Sequence, residues 1–262
     1  MPIKAKKSLG QNFLIDREVL DQIVSTCDIT NKEILEIGPG TGNLTTYILK
    51  KNPKKVYVVE KDDELAILLN EKFNKEIVII NDDILKVNED KISEQKLTVF
   101  GNLPYNISTE ILSKWVSNIG TTFWFESLVF MFQKEVADRI IAKSNNSNYG
   151  RLSILTNWKL NVKKIMDIKS QSFSPRPKID SSLLLFTPKE NFFKLKNAKN
   201  LEMITRIFFS QRRKMLKKPF NQIFNNAHEV AKKFNIDLNL RPQNLEPEMY
   251  FKLTKEYENL RS

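Results

Sequence analysis

Short runs of β-branched residues alternate with helical patterns between about residue 33 and residue 142. The predicted strands are 34–37, 55–60, 77–80, 97–101 and 127–132, and the predicted helices are 44–51, 62–73, 109–118 and 134–142. This alternation is typical of a parallel sheet that is covered by helices on both faces. It therefore predicts an α/β fold.

The pattern changes after residue 161. Two successive predicted strands, 162–169 and 181–186, flank a proline-rich bend at 173–177, which indicates an antiparallel edge on the sheet. Beyond Pro188 only helical patterns follow, near 201–209, 216–225, 228–235 and 246–259. We therefore expect an α/β domain over residues 1–187 and a small all-α domain over residues 188–262.

Positive charge is concentrated in the second of these domains. Residues 187–262 hold 16 Lys and Arg against 8 Asp and Glu, a net charge of +8, out of +11 for the whole chain of 262 residues. A basic field of this kind favours a polyanionic partner, because each cation that neutralises a phosphate releases condensed counterions. A lysine-rich, solvated surface is the alternative.

Composition excludes several classes of protein. The 41% hydrophobic and 28% charged residues are typical of a globular chain and exclude a disordered tail, collagen or a coiled coil. Cys27 and His228 are the only residues of their types, so one chain cannot assemble a Cys/His zinc site, and histidine-based catalysis is nearly excluded. No window approaches the ~20 apolar residues of a membrane span, and the N-terminus is polar, so we expect a cytoplasmic protein without a membrane or metal partner.

Three of the seven glycines, Gly38, Gly40 and Gly42, directly follow the first predicted strand. A glycine turn at this place brings the backbone close to a ligand at a helix N-terminus. Asn43 occupies the position of the third glycine in a dinucleotide fingerprint, which weakens an NAD assignment. Glu60, at the end of the second strand, can hold a ribose diol. The pattern favours S-adenosylmethionine, and an ordinary tight turn is the alternative.

Two further motifs follow the third and fourth strands. Asp83 could accept a hydrogen bond from an adenine amino group, although such a residue is also common in helix caps and turns. Residues Asn102, Leu103, Pro104 and Tyr105 follow the fourth strand and therefore reach the same edge of the sheet, where ligands bind in open α/β folds.

The Asn-x-Pro-Tyr sequence suits chemistry on the exocyclic amine of a base. The Asn102 side-chain oxygen and the Leu103 carbonyl, exposed by the bend at Pro104, can each accept one N–H, while Tyr105 stacks on the base. No strong general base is needed, because the proton becomes acidic once the nitrogen is alkylated. An ordinary Asn/Pro turn is the alternative.

These motifs together resemble the KsgA family of small-subunit ribosomal RNA adenine N6,N6-dimethyltransferases. The resemblance rests on residues 7–14 (KSLGQNFL), 36–42 (EIGPGTG), Glu60, Asp83 and 102–105 (NLPY), and continues through 132–137, 149–153, 173–181 and 211–214. It covers nearly the whole chain. It implies a Rossmann-like class I methyltransferase domain followed by the helical domain.

The resemblance also implies roles for further residues. Gln11, Asn12 and Leu14 would line the methionine side of the cofactor, and Phe173 would stack on the target base opposite Tyr105. Asp82 stands beside Asp83, which leaves open which carboxylate contacts the cofactor adenine. The helical domain would grip rRNA, and its candidate phosphate ligands, chosen from the local run of cations, are Arg212, Arg213, Lys214, Lys217 and Lys218.

The expected reaction is dimethylation of two adjacent adenines in a hairpin loop near the 3′ end of small-subunit (16S) rRNA. The enzyme would act as a monomer on the immature small ribosomal subunit. Two rivals stay open: the related large-subunit rRNA dimethyltransferase of macrolide resistance, and a non-catalytic RNA-binding factor on the same fold. The intact motifs at Gly38, Glu60 and Asn102 favour an active enzyme over the second rival.

Overall fold

The computed structural model describes residues 5–6, 9–105, 107–120 and 122–261. Its strands are β1 (Phe13–Leu14), β2 (Glu33–Ile37), β3 (Lys55–Val59), β4 (Val78–Ile80), β5 (Leu97–Gly101), β6 (Phe125–Gln133), β7 (Leu160–Ile168), β8 (Phe173–Ser174) and β9 (Ser181–Pro188). Seven of them form one sheet in the order β4-β3-β2-β5-β6-β9-β7, and β1 pairs with β8 in a separate two-stranded ribbon.

The first five strands of this order run parallel, and β9 runs antiparallel to β6. The predicted α/β fold with an antiparallel edge is therefore confirmed. Strand β2 lies between β3 and β5: the chain adds β3 and β4 on one side of β2 and then crosses over to add β5 and β6 on the other side. All five residues of β2 are buried. Ligands bind where the chain crosses over in this way, beyond the carboxyl ends of the strands.

The α-helices are α1 (Arg17–Val24), α2 (Asn43–Leu49), α3 (Asp63–Phe73), α4 (Ser108–Asn118), α5 (Lys134–Ile141), α6 (Arg151–Lys159), α7 (Ala198–Ser210), α8 (Lys217–Ile223), α9 (Ala227–Lys233) and α10 (Pro247–Asn259). The last four confirm the all-α end of the chain. No described helix is both long and apolar enough to span a bilayer.

Two helices have no counterpart in the sequence analysis. Helix α1 carries the usual signals, because the Asp16 side chain caps its first amides and Leu20, Ile23 and Val24 form one buried face. Helix α6 lacks a polar stripe, since its buried residues lie on all sides. Periodicity therefore could not reveal it.

The chain divides into two compact units. The first comprises residues 1–112, 119–137 and 162–188, and the second comprises 113–118, 138–161 and 189–262. The chain passes from the first unit to the second for the last time after residue 188, next to the boundary expected after residue 187. The second unit also includes two earlier segments, 113–118 and 138–161. These segments hold helix α6, parts of α4 and α5, a loop and the start of β7, and contacts that are distant in sequence assign them to this unit.

Candidate active site

Strand register brings the ends of three strands together. Ile37 at the end of β2 pairs with Val59 of β3 and with Gly101 of β5. Since these strands are parallel, the residues that follow them, Gly38, Glu60 and Asn102, meet at one edge of the sheet. The sequence analysis predicted this convergence.

A cavity of about 230 Å³ lies at this edge. Its walls include every candidate cofactor residue and four of the five candidate catalytic residues: Gln11, Asn12, Leu14, Gly38, Gly40, Glu60, Asp83, Asn102, Leu103, Pro104 and Tyr105. Phe173 is not among the described residues that line it.

Two glycines of the turn, Gly40 and Gly42, are tightly packed by aromatic rings. Gly42 has a φ of 73° and caps helix α2, and a Cβ atom there would overlap the Phe73 ring. At Gly40, φ is 58° and a Cβ atom would lie 2.8 Å from Cδ1 of Phe13. A side chain at either position would thus meet both a disfavoured backbone conformation and an occupied space.

Glu60 is 6% exposed and joins the glycine turn to the start of helix α3. Its Oε2 accepts from the Gly40 amide at 3.1 Å, and its Oε1 accepts from the Asp62 amide at 2.9 Å. Burial raises the pKa of Glu60, while these amide donors act in the opposite direction. A carboxylate can accept about four hydrogen bonds, so Glu60 retains the capacity to accept from a ligand hydroxyl beside its backbone amide donors.

Glu36 is a further cavity residue that the sequence analysis did not select as a site residue. It is 2% exposed, and its Oε2 accepts from Oγ1 of Thr45 at 2.6 Å. Burial raises the pKa of Glu36 to about 7, and the charge of Glu60 acts in the same direction. The available signal was an acidic residue inside the predicted strand 34–37, whose other residues are apolar and which leads into the glycine turn.

Residues 9–14 form one wall of the cavity and are held by side chains from distant parts of the chain. Asn43 donates through Nδ2 to the Leu14 carbonyl at 2.8 Å, so the residue that replaces a third glycine anchors this wall. Asn102 donates through Nδ2 to the Asn12 carbonyl, also at 2.8 Å. The pairing of β1 with β8 completes the attachment.

The bond from Asn102 to Asn12 orients the Asn102 amide. Its nitrogen is engaged as a donor, and no described residue donates to its Oδ1. The side chain therefore offers an acceptor at the cavity. Tyr105 is hydrogen-bonded through its hydroxyl to Oγ of Ser181 at 2.6 Å, which fixes the ring, and burial raises the pKa of this hydroxyl.

Phe173 lies in the hydrophobic core. It is 2% exposed, pairs with Leu14 through the β1–β8 ribbon and belongs to the cluster that contains Leu20, Val24 and Leu183. In this conformation its ring is not available to a base. The stacking role implied by the resemblance therefore requires the ring to leave the core.

Two neighbouring carboxylates line the cavity beyond β4. Asp83 accepts from Nζ of Lys61 at 2.8 Å and from the Leu85 amide at 3.0 Å, and the hydrogen bond from Lys61 lowers its pKa. Asp82 accepts from the Asp83 amide at 2.7 Å and is exposed. Asp83 is thus the more enclosed of the two acceptors.

The candidate RNA-binding cations fall into two environments. Arg213, Lys214, Lys217 and Lys218 are exposed in the turn between α7 and α8 and in the first turn of α8. Arg212 is half-buried, and its guanidinium donates to the carbonyls of Asn146 and Ser147 and to the Gln243 side chain. Arg212 therefore holds a loop of its own unit.

Comparison with known proteins places these features in context. The family model "Ribosomal RNA adenine dimethylase" matches residues 3–259. The chain is 82% identical to "Ribosomal RNA small subunit methyltransferase A" of Pelagibacter ubique (strain HTCC1062), with 100% of both chains covered. It is 41% identical to the protein of the same name from Ehrlichia chaffeensis, with 96% of each chain covered.

Solved structures agree in fold. A dimethyladenosine transferase from Plasmodium falciparum superposes with a TM-score of 0.77 at 27% identity, covering 94% of this chain and 98% of that one. The 23S rRNA methyltransferase ErmE superposes with a TM-score of 0.69 at 21% identity, covering 94% and 100%, a likeness of fold alone. The match of the family model over residues 3–259, together with relatives at 82% and 41% identity over nearly full length, shows that the chain belongs to the ribosomal RNA adenine dimethylase family.

Proposed function

We propose that this chain is an S-adenosylmethionine-dependent enzyme that converts two adjacent adenines of small-subunit rRNA to N6,N6-dimethyladenine. The target is a hairpin loop near the 3′ end of the 16S rRNA within the immature small subunit. The observation that carries the proposal is the Asn102 amide, oriented by Asn12 so that an acceptor oxygen is available beside the glycine turn and Glu60. The names of the relatives at 82% and 41% identity support the choice of subunit.

The residues at the edge of the sheet fit the proposed cofactor. Gly38 lines the cavity, and a Cβ atom there would meet only the Asn102 carbonyl at 3.9 Å, so a ligand can approach the backbone at this glycine. The Glu60 carboxylate would accept from the ribose hydroxyls. Asp83, with Asp82 beside it, would receive the adenine amino group, and Gln11, Asn12 and Leu14 would enclose the methionine side. When bound, S-adenosylmethionine supplies a methyl group on a positively charged sulfur.

Asn102 and Leu103 would act on the target adenine. The lone pair of its N6 is delocalised into the ring, so the amine is a poor nucleophile. Acceptance of its two N–H groups by Asn102 Oδ1 and the Leu103 carbonyl would make the nitrogen more tetrahedral and direct its lone pair at the methyl carbon. Tyr105, fixed by Ser181, would stack on one face of the base.

No general base is required of the protein in this scheme. The nitrogen loses a proton to water after alkylation, when that proton is acidic. The second methylation repeats the same geometry with one N–H replaced by a methyl group. An unpaired or flippable adenine suits this cavity, because a base within a duplex cannot reach the edge of the sheet.

The exposed cations of the helical end would contact rRNA phosphates. Arg213, Lys214, Lys217 and Lys218 supply positive charge at one turn, and residues 187–262 carry a net charge of +8. Lys217 and Lys218 occupy the first turn of α8, where cations oppose the helix dipole. A polyanionic partner would relieve this unfavourable arrangement.

The test uses purified protein, labelled cofactor and two substrates: small subunits from a strain that lacks the mark, and protein-free large-subunit RNA. We expect two methyl groups on each of two adjacent adenines of the small subunit and none on large-subunit RNA, read by mass spectrometry. Methylation of large-subunit RNA alone would favour the macrolide-resistance rival. RNA binding without methyl transfer, and without cofactor binding in calorimetry, would favour the non-catalytic factor.

A further inference from the structure

Residues 9–14 must be held in place if they are to enclose a ligand, because a chain segment without attachments samples many conformations. Asn43 and Asn102 bind the segment at Leu14 and Asn12. Its other end is attached through Gln11. The Gln11 side chain donates through Nε2 to Oδ2 of Asp62 at 2.9 Å and accepts through Oε1 from the Lys6 amide at 2.7 Å.

Asp62 is placed to make this attachment strong. Asp62 is 4% exposed, and its Oδ1 accepts from Nζ of Lys6 at 2.7 Å and from the Glu64 amide at 3.2 Å. Burial alone would raise the pKa of Asp62, but the hydrogen bonds from Lys6 and Gln11 outweigh it and lower that pKa. The side chain is therefore an ionised acceptor, which makes the stronger class of hydrogen bond.

Asp62 also contacts Glu60, the carboxylate proposed to bind the ribose. The Asp62 amide donates to Oε1 of Glu60 at 2.9 Å. Asp62 thus binds Glu60 through its backbone and the N-terminal wall of the cavity through its side chain. Capping helix α3 requires only the hydrogen bond from the Glu64 amide. A capping role alone therefore does not explain why this carboxylate is buried and also accepts hydrogen bonds from Gln11 and Lys6.

We propose that Asp62 is a positioning residue that latches the N-terminal wall of the cavity, residues 9–14, to the strand end that carries Glu60. The predicted effect of Asp62 on ligand affinity rests on the cofactor proposed above. Its predicted effect on the conformational order of residues 9–14 does not depend on that cofactor, so the two effects can be tested separately.

Asp62→Asn is the variant that removes the latch and keeps the helix cap, since an Asn side-chain oxygen caps as well as that of Asp. Once that oxygen accepts from Glu64, the amide nitrogen faces Gln11. Gln11 also presents a nitrogen there, because its oxygen is engaged by the Lys6 amide. Two donors then oppose each other, and the ion pair with Lys6 is lost. Asp63→Asn is the matched control, with the same change of charge at an exposed neighbour in the same helical turn.

The first measurement is amide hydrogen exchange of residues 9–14 in the protein without cofactor. We expect exchange about tenfold faster in Asp62→Asn and unchanged in Asp63→Asn, with similar unfolding midpoints for both variants. Adding Gln11→Glu to Asp62→Asn should restore slow exchange, because the new carboxylate accepts from both the Lys6 amide and the Asn nitrogen. If Asp62→Asn is unstable, Lys6→Gln weakens the latch without touching the cap, and should accelerate exchange by a smaller factor.

The second measurement separates the KM for S-adenosylmethionine from kcat. Asp62→Asn should raise this KM roughly 5- to 30-fold, less than loss of a direct charged contact with the ligand would, because Asp62 acts on the ligand only through the wall. The kcat at saturating cofactor should stay near that of Asp63→Asn. Wild-type exchange rates in both Asp62→Asn and Lys6→Gln would overturn the latch. A wild-type protein that binds no S-adenosylmethionine would overturn the proposed function and leave the exchange result standing.

Discussion

Glu60 is the residue on which the proposed cofactor site most depends. Glu60→Ala should weaken S-adenosylmethionine binding roughly 10- to 150-fold, since a charge-assisted hydrogen bond contributes ~1.5–3 kcal/mol. Calorimetry on the folded variant measures this directly. Glu71→Ala, which removes an exposed carboxylate of helix α3, is the control and should bind as the wild type does. Equal affinity in the two variants would remove Glu60 from the site.

Asn102 has two tasks that the structure separates. Its oxygen is the proposed acceptor of the target N–H, and its nitrogen holds the Asn12 carbonyl. Asn102→Ala should therefore lower kcat about 10²- to 10³-fold, the loss typical of one transition-state contact, and weaken cofactor binding less than about tenfold. Single-turnover methylation and calorimetry give the two quantities. A rate above about a tenth of wild type would exclude the proposed contact.

Glu36 predicts a pH dependence of stability. Its pKa is about 7 in the folded chain against an ordinary value of 4.5, so the folded state keeps a proton that the unfolded state loses as the pH rises. Its contribution is fully present below pH 4.5 and is lost as the pH rises through 7, a change of about 3 kcal/mol in the free energy of unfolding.

Glu36→Gln removes this titration. Urea unfolding of both proteins at pH 5 and pH 8 should show the variant gaining stability relative to the wild type as the pH rises. Glu60 titrates in both proteins, and because its charge raises the pKa of Glu36, the difference between them reports Glu36 together with this coupling. A constant difference across this range would mean that Glu36 is ionised in the folded chain.

At the scale of elements, the turn between α7 and α8 combines two roles in adjacent residues. Arg212 binds the loop that contains Asn146 and Ser147, whereas Arg213 is exposed. Arg212→Ala should lower the free energy of unfolding by about 1 kcal/mol, the net contribution typical of hydrogen bonds whose acceptors water can reach in the variant. Arg213→Ala should change it by less than about 0.5 kcal/mol. Denaturant unfolding of the two variants tests this contrast, and equal stabilities would contradict it.

The helical elements also show where periodicity fails. Helices α3 and α7 were predicted because each has an apolar face and a polar one, with Leu65 and Leu69 buried in the first and Leu201 and Ile204 in the second. Helix α6 buries Ile154 and Trp158 on one side and Thr156 on the opposite side. A helix enclosed by its neighbours needs no polar stripe, so its sequence lacks the usual signal.

At the scale of the molecule, charge and cofactor site should be separable. The double variant Arg213→Glu with Lys214→Glu should weaken RNA binding and reduce the slope of log affinity against log salt by about 1 to 2, because fewer counterions are released. Affinity for S-adenosylmethionine should not change, since neither residue lines the cavity. Filter binding at several salt concentrations and calorimetry measure the two effects.

A control for this experiment exists in the α/β part of the chain. Lys75→Glu with Lys91→Glu makes the same change in net charge at two exposed positions. If RNA binding falls equally in both double variants, long-range charge alone explains it, and the turn between α7 and α8 has no local role.

Local patterns by themselves determined the alternation of strands β2 to β6 with helices α2 to α5, the antiparallel edge and the meeting of Gly38, Glu60 and Asn102 at one end of the sheet. Parallel strands and tight glycine turns have sequence signals that span only a few residues, so these features can be predicted without knowing which distant residues make contact. The full set of motifs, from residue 7 to residue 214, also carried the family resemblance.

Tertiary structure alone decided what surrounds each side chain. It turned Arg212 toward Asn146 and Ser147, enclosed Phe173 in the core, raised the pKa of Glu36 and placed Asp62 between Lys6, Gln11 and Glu60. Burial, hydrogen-bond partners and pKa values depend on groups that are distant in the chain: Gln11 and Asp62, for example, are 51 positions apart. A local sequence pattern cannot identify such partners, because they come into contact only when the chain has folded.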